Sequence, residues 1–293
     1  MGDAVAPGAG EPAGDLPVRT PDLTDADAVA ILAHARLEPV GVLTAASNLT
    51  LLVELHDEEG ELTGHRAVYK PRRGERPLAD FPHGSLAARE VASYLVSVAA
   101  GLDVVPPTVL RDGPLGPGSV QWWVDQTPER LADPAGDLVE ILAPGELGDR
   151  WLPVVQAETE EGEPVVVAHA DDPQLRLMAV LDVVLNNADR KAAHLTLDPL
   201  GRLRGFDHGL CLHVQDKLRT VLWGWAGRPL APPEIAALKR LAEALAAGAK
   251  AELEPLLHPR ELAALGARVA TLLSAGTFPA PPEDRYPLPW PLW

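Results

Sequence analysis

Two aspartates, a histidine, a lysine and a glutamate carry the chemistry this chain can do. Asp189, His194 and Asp207 fall in Leu185 to His213, where apolar runs at Leu195 to Leu197 and Leu203 to Phe206 flank Asp198-Pro199-Leu200-Gly201. Proline and glycine so placed reverse a chain, and the stretch reads as a hairpin with polar loops at its open end. Pairing about that turn sets His194 opposite the residues just before Asp207, while Asp189 approaches from the preceding loop. Two carboxylates and an imidazole in one small volume suit a divalent cation with its phosphate ligand, so phosphoryl transfer is the expected chemistry. Lys70 ends a strand-like run, and Glu90 falls on the apolar face of a helix pattern. A buried carboxylate needs a partner, and Lys70 is the candidate. A triphosphate brings about four negative charges, which the Lys70 ammonium and a cation at Asp207 would offset. Asp189 is placed to accept or orient the proton of an attacking hydroxyl, and Arg190 with Lys191 to steady the phosphate.

The elements that must hold these groups follow from periodicity and punctuation. Thr24 is expected to cap a helix through Arg36. Runs at Pro39 to Ala46, Leu49 to His56 and Gly64 to Lys70, broken at Ser47-Asn48 and Asp57-Glu58-Glu59-Gly60, describe an antiparallel meander. Pro71-Arg72-Arg73-Gly74-Glu75-Arg76-Pro77 is basic in an acidic chain: either a solvated loop or a flap that meets an anion. Ser85 opens a helix with Ala87, Val91, Tyr94, Leu95 and Val98 on one face, and Gly101 closes it. Short runs at 108–110 and 119–124 supply further strands. Another hairpin is expected over 151–157 and 164–169, then a helix from Asp171-Asp172-Pro173 to Leu185, then helices at 232–248 and 259–274. The expected organisation is a disordered tail over 1–20, a β-rich lobe over 21–118, a hinge over 119–127, a mainly helical lobe over 128–278 and a Pro/Trp-rich tail over 279–293.

Composition narrows the partners. A hydrophobic fraction of 46% supports a folded protein. A net charge of −17 argues against an extended nucleic-acid or anionic-membrane surface, because those need clustered Lys and Arg. The single Cys211 excludes an internal disulfide, and no run has the length of a membrane span. A soluble cytoplasmic protein without integral membrane association is expected. Four histidines, His169, His194, His208 and His213, lack the helical i, i+4 pair of a zinc protease.

On these residues the chain resembles the phosphatidylinositol 3- and 4-kinase-like branch of the atypical protein-kinase-like fold, over roughly residues 38 to 275. Gly41 through Ser47-Asn48 resembles that branch's phosphate-covering turn, Tyr69-Lys70-Pro71 the strand of the ATP-phosphate lysine, and Glu90 its helix partner. Asp189-Arg190 is similar to the catalytic-loop pair, and Asp207-His208-Gly209 to the metal motif. The resemblance implies an α+β, two-lobed fold, and an adenine seat formed by Gln121, Trp122, Trp123, Val124 and Asp125. It implies ATP with Mg²⁺ or Mn²⁺ as cofactors and an atypical kinase acting on a protein or soluble small-molecule hydroxyl. His194 stands where the family usually places a metal-binding asparagine, and imidazole suits Mn²⁺ better than Mg²⁺. An AMP-transferring enzyme and a nucleotide-binding pseudokinase or scaffold share the same motifs. Lipid phosphorylation is disfavoured by the net charge.

Overall fold

The computed structural model describes residues 23–44 and 47–293, so the expected 1–20 tail and Ala45-Ala46 of the phosphate-covering turn lie outside the described residues. Helix α1 (Asp25–His34) starts at Thr24, whose hydroxyl accepts from the Asp27 amide while Asp27 accepts from Thr24 N. This reciprocal cap satisfies amides that a helix start leaves without partners. The chain leaves α1 directly into β1 (Arg36–Val42), followed by β2 (Leu51–His56) and β3 (Leu62–Pro71). With β4 (Thr108–Gly113) and β5 (Gly116–Trp122) these form an antiparallel sheet of order β1-β2-β3-β5-β4.

Strand periodicity decides what this sheet presents to the cleft. Leu51, Val53 and Leu55 of β2, Ala67 and Tyr69 of β3, and Val120 and Trp122 of β5 pack with Ala28 and Leu32 of α1. Neighbouring side chains point to opposite faces, so Val68 and Lys70 look the other way. Of the residues expected as the hinge over 119–127, 119–121 pair in β5 with both β3 and β4, and Trp122 pairs with Ala67 of β3.

Helix α2 (Leu86–Ala99) carries Glu90 and lies between the lobes. Its Ala92, Tyr94 and Val96 share one core with the second lobe, whose main elements are α4 (Pro173–Leu185), α5 (Pro232–Ala247) and α7 (Pro259–Ala275). Arg89, 1% exposed, pairs with Glu261 of α7 and donates to Cys211 O at 2.6 Å. The short α3 (Pro128–Ala132) opens that lobe, and α6 (Ala249–Leu253) links α5 to α7. Strands β6 (Val139–Leu142), β7 (Trp151–Glu158) and β8 (Pro164–Ala170) form a sheet of order β6-β8-β7. Strands β9 (Leu195–Leu197) and β10 (Leu203–Gly205) pair antiparallel as the expected hairpin.

The Pro/Trp-rich segment over 279–293 makes specific contacts to the second lobe. Pro287 O accepts from Thr220 N at 3.2 Å and from Trp223 Nε1 at 2.9 Å, Leu288 is 3% exposed, and Leu292 O accepts from Ala192 N at 2.9 Å. The segment runs back along the second lobe to the cleft. Among the described residues, no helix is long and apolar enough to cross a membrane.

Candidate active site in the interlobe cleft

Lys70 Nζ lies 2.5 Å from Glu90 Oε1 and 2.9 Å from Asp207 Oδ1. The second oxygen of Glu90 accepts from His208 N at 2.9 Å, tying α2 to the loop after β10. Asp207 adopts φ 60°, a left-handed conformation uncommon for a residue with a side chain, and strain of this kind collects at functional sites. The start of α2 is held by Glu75: its oxygens accept from Leu86 N at 3.2 Å and Ala87 N at 3.0 Å. Ser85, expected as the cap, instead donates through Oγ to Pro82 O at 2.7 Å. The basic 71–77 segment therefore braces the helix that carries Glu90.

Asp189 follows α4, which ends at Asn186 in the left-handed conformation. Its amide donates to Asn187 Oδ1 at 2.9 Å, and its carboxylate lies 3.5 Å from Lys191 Nζ. Arg190 does not face the cleft, which corrects the phosphate-steadying role expected for it. Its side chain is fully buried, bonded to Asp182 Oδ1 at 3.0 Å, to Phe206 O at 3.1 Å and to His208 Nε2 at 2.7 Å. Asp182 also accepts from Asn187 Nδ2 at 3.0 Å and Thr220 Oγ1 at 3.1 Å. This buried hub under the 186–190 loop escaped the sequence reading. Its one signal was a carboxylate among Leu181, Val183 and Val184.

Two chambers meet at Lys70 and Asp207. One, of about 350 Å³, runs between Trp122-Trp123-Val124 on one side and His194, Phe206 and Trp293 on the other. The second, of about 310 Å³, lies under Ser47-Asn48 against the start of α2, with Asp189 in its wall. Of the expected adenine contacts, Gln121 lines the first chamber but donates its side-chain amide to Thr108 Oγ1 at 2.9 Å. Trp122 belongs to the first lobe's core beside His65, ring centroids 4.8 Å apart. Trp123, with Arg66 5.9 Å above its ring, and Val124 remain at the chamber wall, Trp123 half-buried. Trp293, on the opposite wall, was missed because nothing local ties residue 293 to the cleft.

The electrostatics separate the carboxylates. Burial opposes ionisation of Asp207, but the Lys70 ammonium outweighs it and holds the carboxyl well below its usual range. Burial raises Glu90, with Lys70 opposing. Burial lifts Asp189 to about 6, with Lys191 opposing and Asp207 adding to the rise. His194 is pushed down to about 4 by burial, so its imidazole is neutral at pH 7, with Nε2 3.4 Å from Asp207 Oδ2. A neutral imidazole beside an ionised carboxylate fits a divalent cation. No group of three or more His, Cys, Asp or Glu among the described residues is arranged as a closed metal site, so phosphate and water oxygens would complete the coordination, as is usual for Mg²⁺.

A β-rich lobe, a mainly helical lobe and a lysine–glutamate–aspartate cluster between them define an α+β, two-lobed protein-kinase-like fold. The chain belongs to the family of Protein Rv2133c of Mycobacterium tuberculosis, to which it is 44% identical over 268 residues, spanning 90% of this chain and 95% of that protein. No protein-family model matches it. Among solved structures it is similar to the Golgi casein kinase (TM-score 0.49, 14% identity, 87% of this chain and 75% of that one). It is similar also to hydra Fam20 with sugar (TM-score 0.48, 13% identity, 88% and 89%) and to the Helicobacter pylori proinflammatory kinase CtkA (TM-score 0.47, 11% identity, 84% and 94%).

Proposed function

We propose that the chain is an ATP-dependent phosphotransferase acting on a hydroxyl of a protein or soluble small molecule. The observation that carries this reading is Lys70 Nζ, shared between Glu90 and Asp207 where two chambers meet. The first chamber takes the purine, against Trp123 and the 123–124 backbone. Lys70 then meets the phosphates, its charge secured because the nearby carboxylates outweigh burial and raise its pKa. Asp207 and His194 would hold a divalent cation, which screens the charge on the transferred group. Asp189, ionised above about 6, accepts the hydroxyl proton as oxygen attacks phosphorus. Within the kinase-like fold, Tyr69-Lys70-Pro71, Asp189-Arg190 and Asp207-His208-Gly209 favour the phosphatidylinositol 3-/4-kinase-like branch, and the net charge of −17 favours an acceptor that is not in a membrane.

A thermal-shift titration with ATP and Mg²⁺ or Mn²⁺ tests the site. Wild type is expected to gain stability with nucleotide, Mn²⁺ at least matching Mg²⁺, and Lys70→Ala and Asp207→Ala to lose that gain. A gain that survives both substitutions refutes the assignment. Label from γ-labelled rather than α-labelled ATP is expected on the acceptor.

A further inference from the structure

We propose that the second chamber is an acceptor subsite in which Arg76 reads an anionic group, so that the substrate is a small hydroxyl compound already bearing a phosphate, sulfate or carboxylate. This rests on the phosphotransferase reading. The two chambers share Thr50, Lys70 and Asp207, but Asp189 lines only the second. A hydroxyl delivered to Asp189 therefore enters from the side that Arg76 borders.

Lys70 and Arg76 are the two cationic residues that line this chamber, and the nearby Arg72 and Lys217 are committed elsewhere. Arg72 Nε donates to Gly84 O at 2.6 Å, Lys217 pairs with Asp80 at 2.6 Å, and Lys70 is held by Glu90 and Asp207. The Glu75 carboxylate beside Arg76 is occupied by the amides of Leu86 and Ala87. The Arg76 guanidinium has no carboxylate or carbonyl partner among the described residues, yet its backbone is fixed: Arg76 N donates to Asn48 Oδ1 at 2.8 Å, and Leu49 N to Gly74 O at 3.2 Å. A guanidinium so placed is a fork for a planar or tetrahedral anion. Lys70, the cation at Asp207 and the turn at Ser47-Asn48 would meet the triphosphate at the junction of the chambers, which leaves Arg76 for the acceptor's own anion. Leu49, Leu78, Leu86 and Leu210 give the same chamber apolar walls, which suit a carbon frame better than a polyphosphate. A volume of about 310 Å³ fits a small molecule rather than a folded partner.

In the step this implies, the acceptor oxygen forms a bond to the γ-phosphorus while the bond from that phosphorus to the β,γ-bridging oxygen breaks. Its electron pair leaves on ADP, and the hydroxyl proton passes to Asp189. The acceptor gains one phosphoryl group and keeps its original anion on Arg76.

Calorimetry on the full chain loaded with a non-hydrolysable ATP analogue and Mg²⁺, titrated with inorganic phosphate, tests the subsite. Phosphate is expected to bind loaded wild type, to bind Arg76→Ala roughly tenfold more weakly and Arg76→Lys in between, with analogue affinity changed less than about twofold. Arg76 is exposed, so both variants should keep the wild-type melting temperature. Analogue affinity that falls in step with phosphate affinity would make Arg76 a nucleotide ligand and overturn the proposal. So would phosphate binding that is absent from loaded wild type or indifferent to Arg76. Phosphatidylglycerol vesicles that cosediment with wild type but not with Arg76→Ala would place the anion on a lipid, against the soluble acceptor argued here. Analogue that fails to bind wild type at all refutes the underlying phosphotransferase reading instead.

Discussion

Replacing Arg190 separates a structural from a catalytic role for the residue that follows the proposed base. Asp182 and Arg190 have 0% side-chain exposure, and the pair is joined at 3.0 Å. Arg190→Ala leaves Asp182 buried with only Asn187 and Thr220 as donors, and strips a donor from Phe206 O and His208 Nε2. Removing one partner of a buried pair costs about 3–5 kcal/mol, a large share of the roughly 5–15 kcal/mol that keeps a domain folded. With a urea m-value of about 3 kcal/mol/M, the midpoint should fall by roughly 1–1.7 M. The double variant Asp182→Asn/Arg190→Met, which removes both charges, should recover part of the loss. Equilibrium urea unfolding followed by Trp fluorescence reads both. If Arg190→Ala keeps the wild-type midpoint and instead loses nucleotide affinity, the guanidinium reaches the cleft and the buried-hub argument is refuted.

Two other predictions concern residues at the edges of the site. His169 is fully buried, accepts from Gly224 N at 2.9 Å through Nε2, and is pushed down by burial to about 4. Its folded pKa lies below the unfolded value near 6.5, so its contribution is complete above that pH and is lost as pH falls through about 4. The amount is about 3 kcal/mol. Melting temperature followed from pH 7 to pH 4.5 should therefore fall less steeply for His169→Gln than for wild type, and parallel slopes would contradict the assignment. Trp293 lines the hinge-side chamber and is 37% exposed. Trp293→Ala should weaken ATP binding by roughly three- to tenfold through lost aromatic contact, with the melting temperature little changed; unchanged affinity would remove Trp293 from the nucleotide wall.

What was legible in the sequence was local or paired along the chain. The meander β1-β2-β3, the β9–β10 hairpin and the α4 cap at Asp172 each follow from a period and its punctuation. Glu90 was readable as a partner for Lys70 because a carboxylate on an apolar helix face demands one. Arg190 was misread because adjacency to Asp189 does not say which way a side chain turns; that depended on Asp182, buried in α4 eight positions earlier. The 279–293 segment resembled a tail because its order comes from single contacts to Thr220, Trp223 and Ala192, which leave no periodicity. Likewise Glu75, rather than Ser85, holds the start of α2, since a carboxylate 11 residues upstream of Leu86 reaches it only once the 71–77 segment has folded.

The burial of α2 explains what fixes Glu90 in the cluster at Lys70. Arg89 and Glu90 are neighbours on one helical turn, yet Arg89 is bound to Glu261 and Cys211 in the second lobe while Glu90 is bound to Lys70 in the first-lobe sheet and to His208 N. Moving α2 away from the second lobe would expose Ala92, Tyr94 and Val96, which share that lobe's core, and would strand Arg89. Both losses are large beside typical domain stability. Packing against the second lobe therefore fixes where Glu90 stands, and what remains free to change on binding is the Lys70–Asp207 bond. A phosphate arriving with its cation would take Asp207 from Lys70 and offer Lys70 its own oxygens, so the ammonium exchanges one anion for another while Glu90 holds it in place.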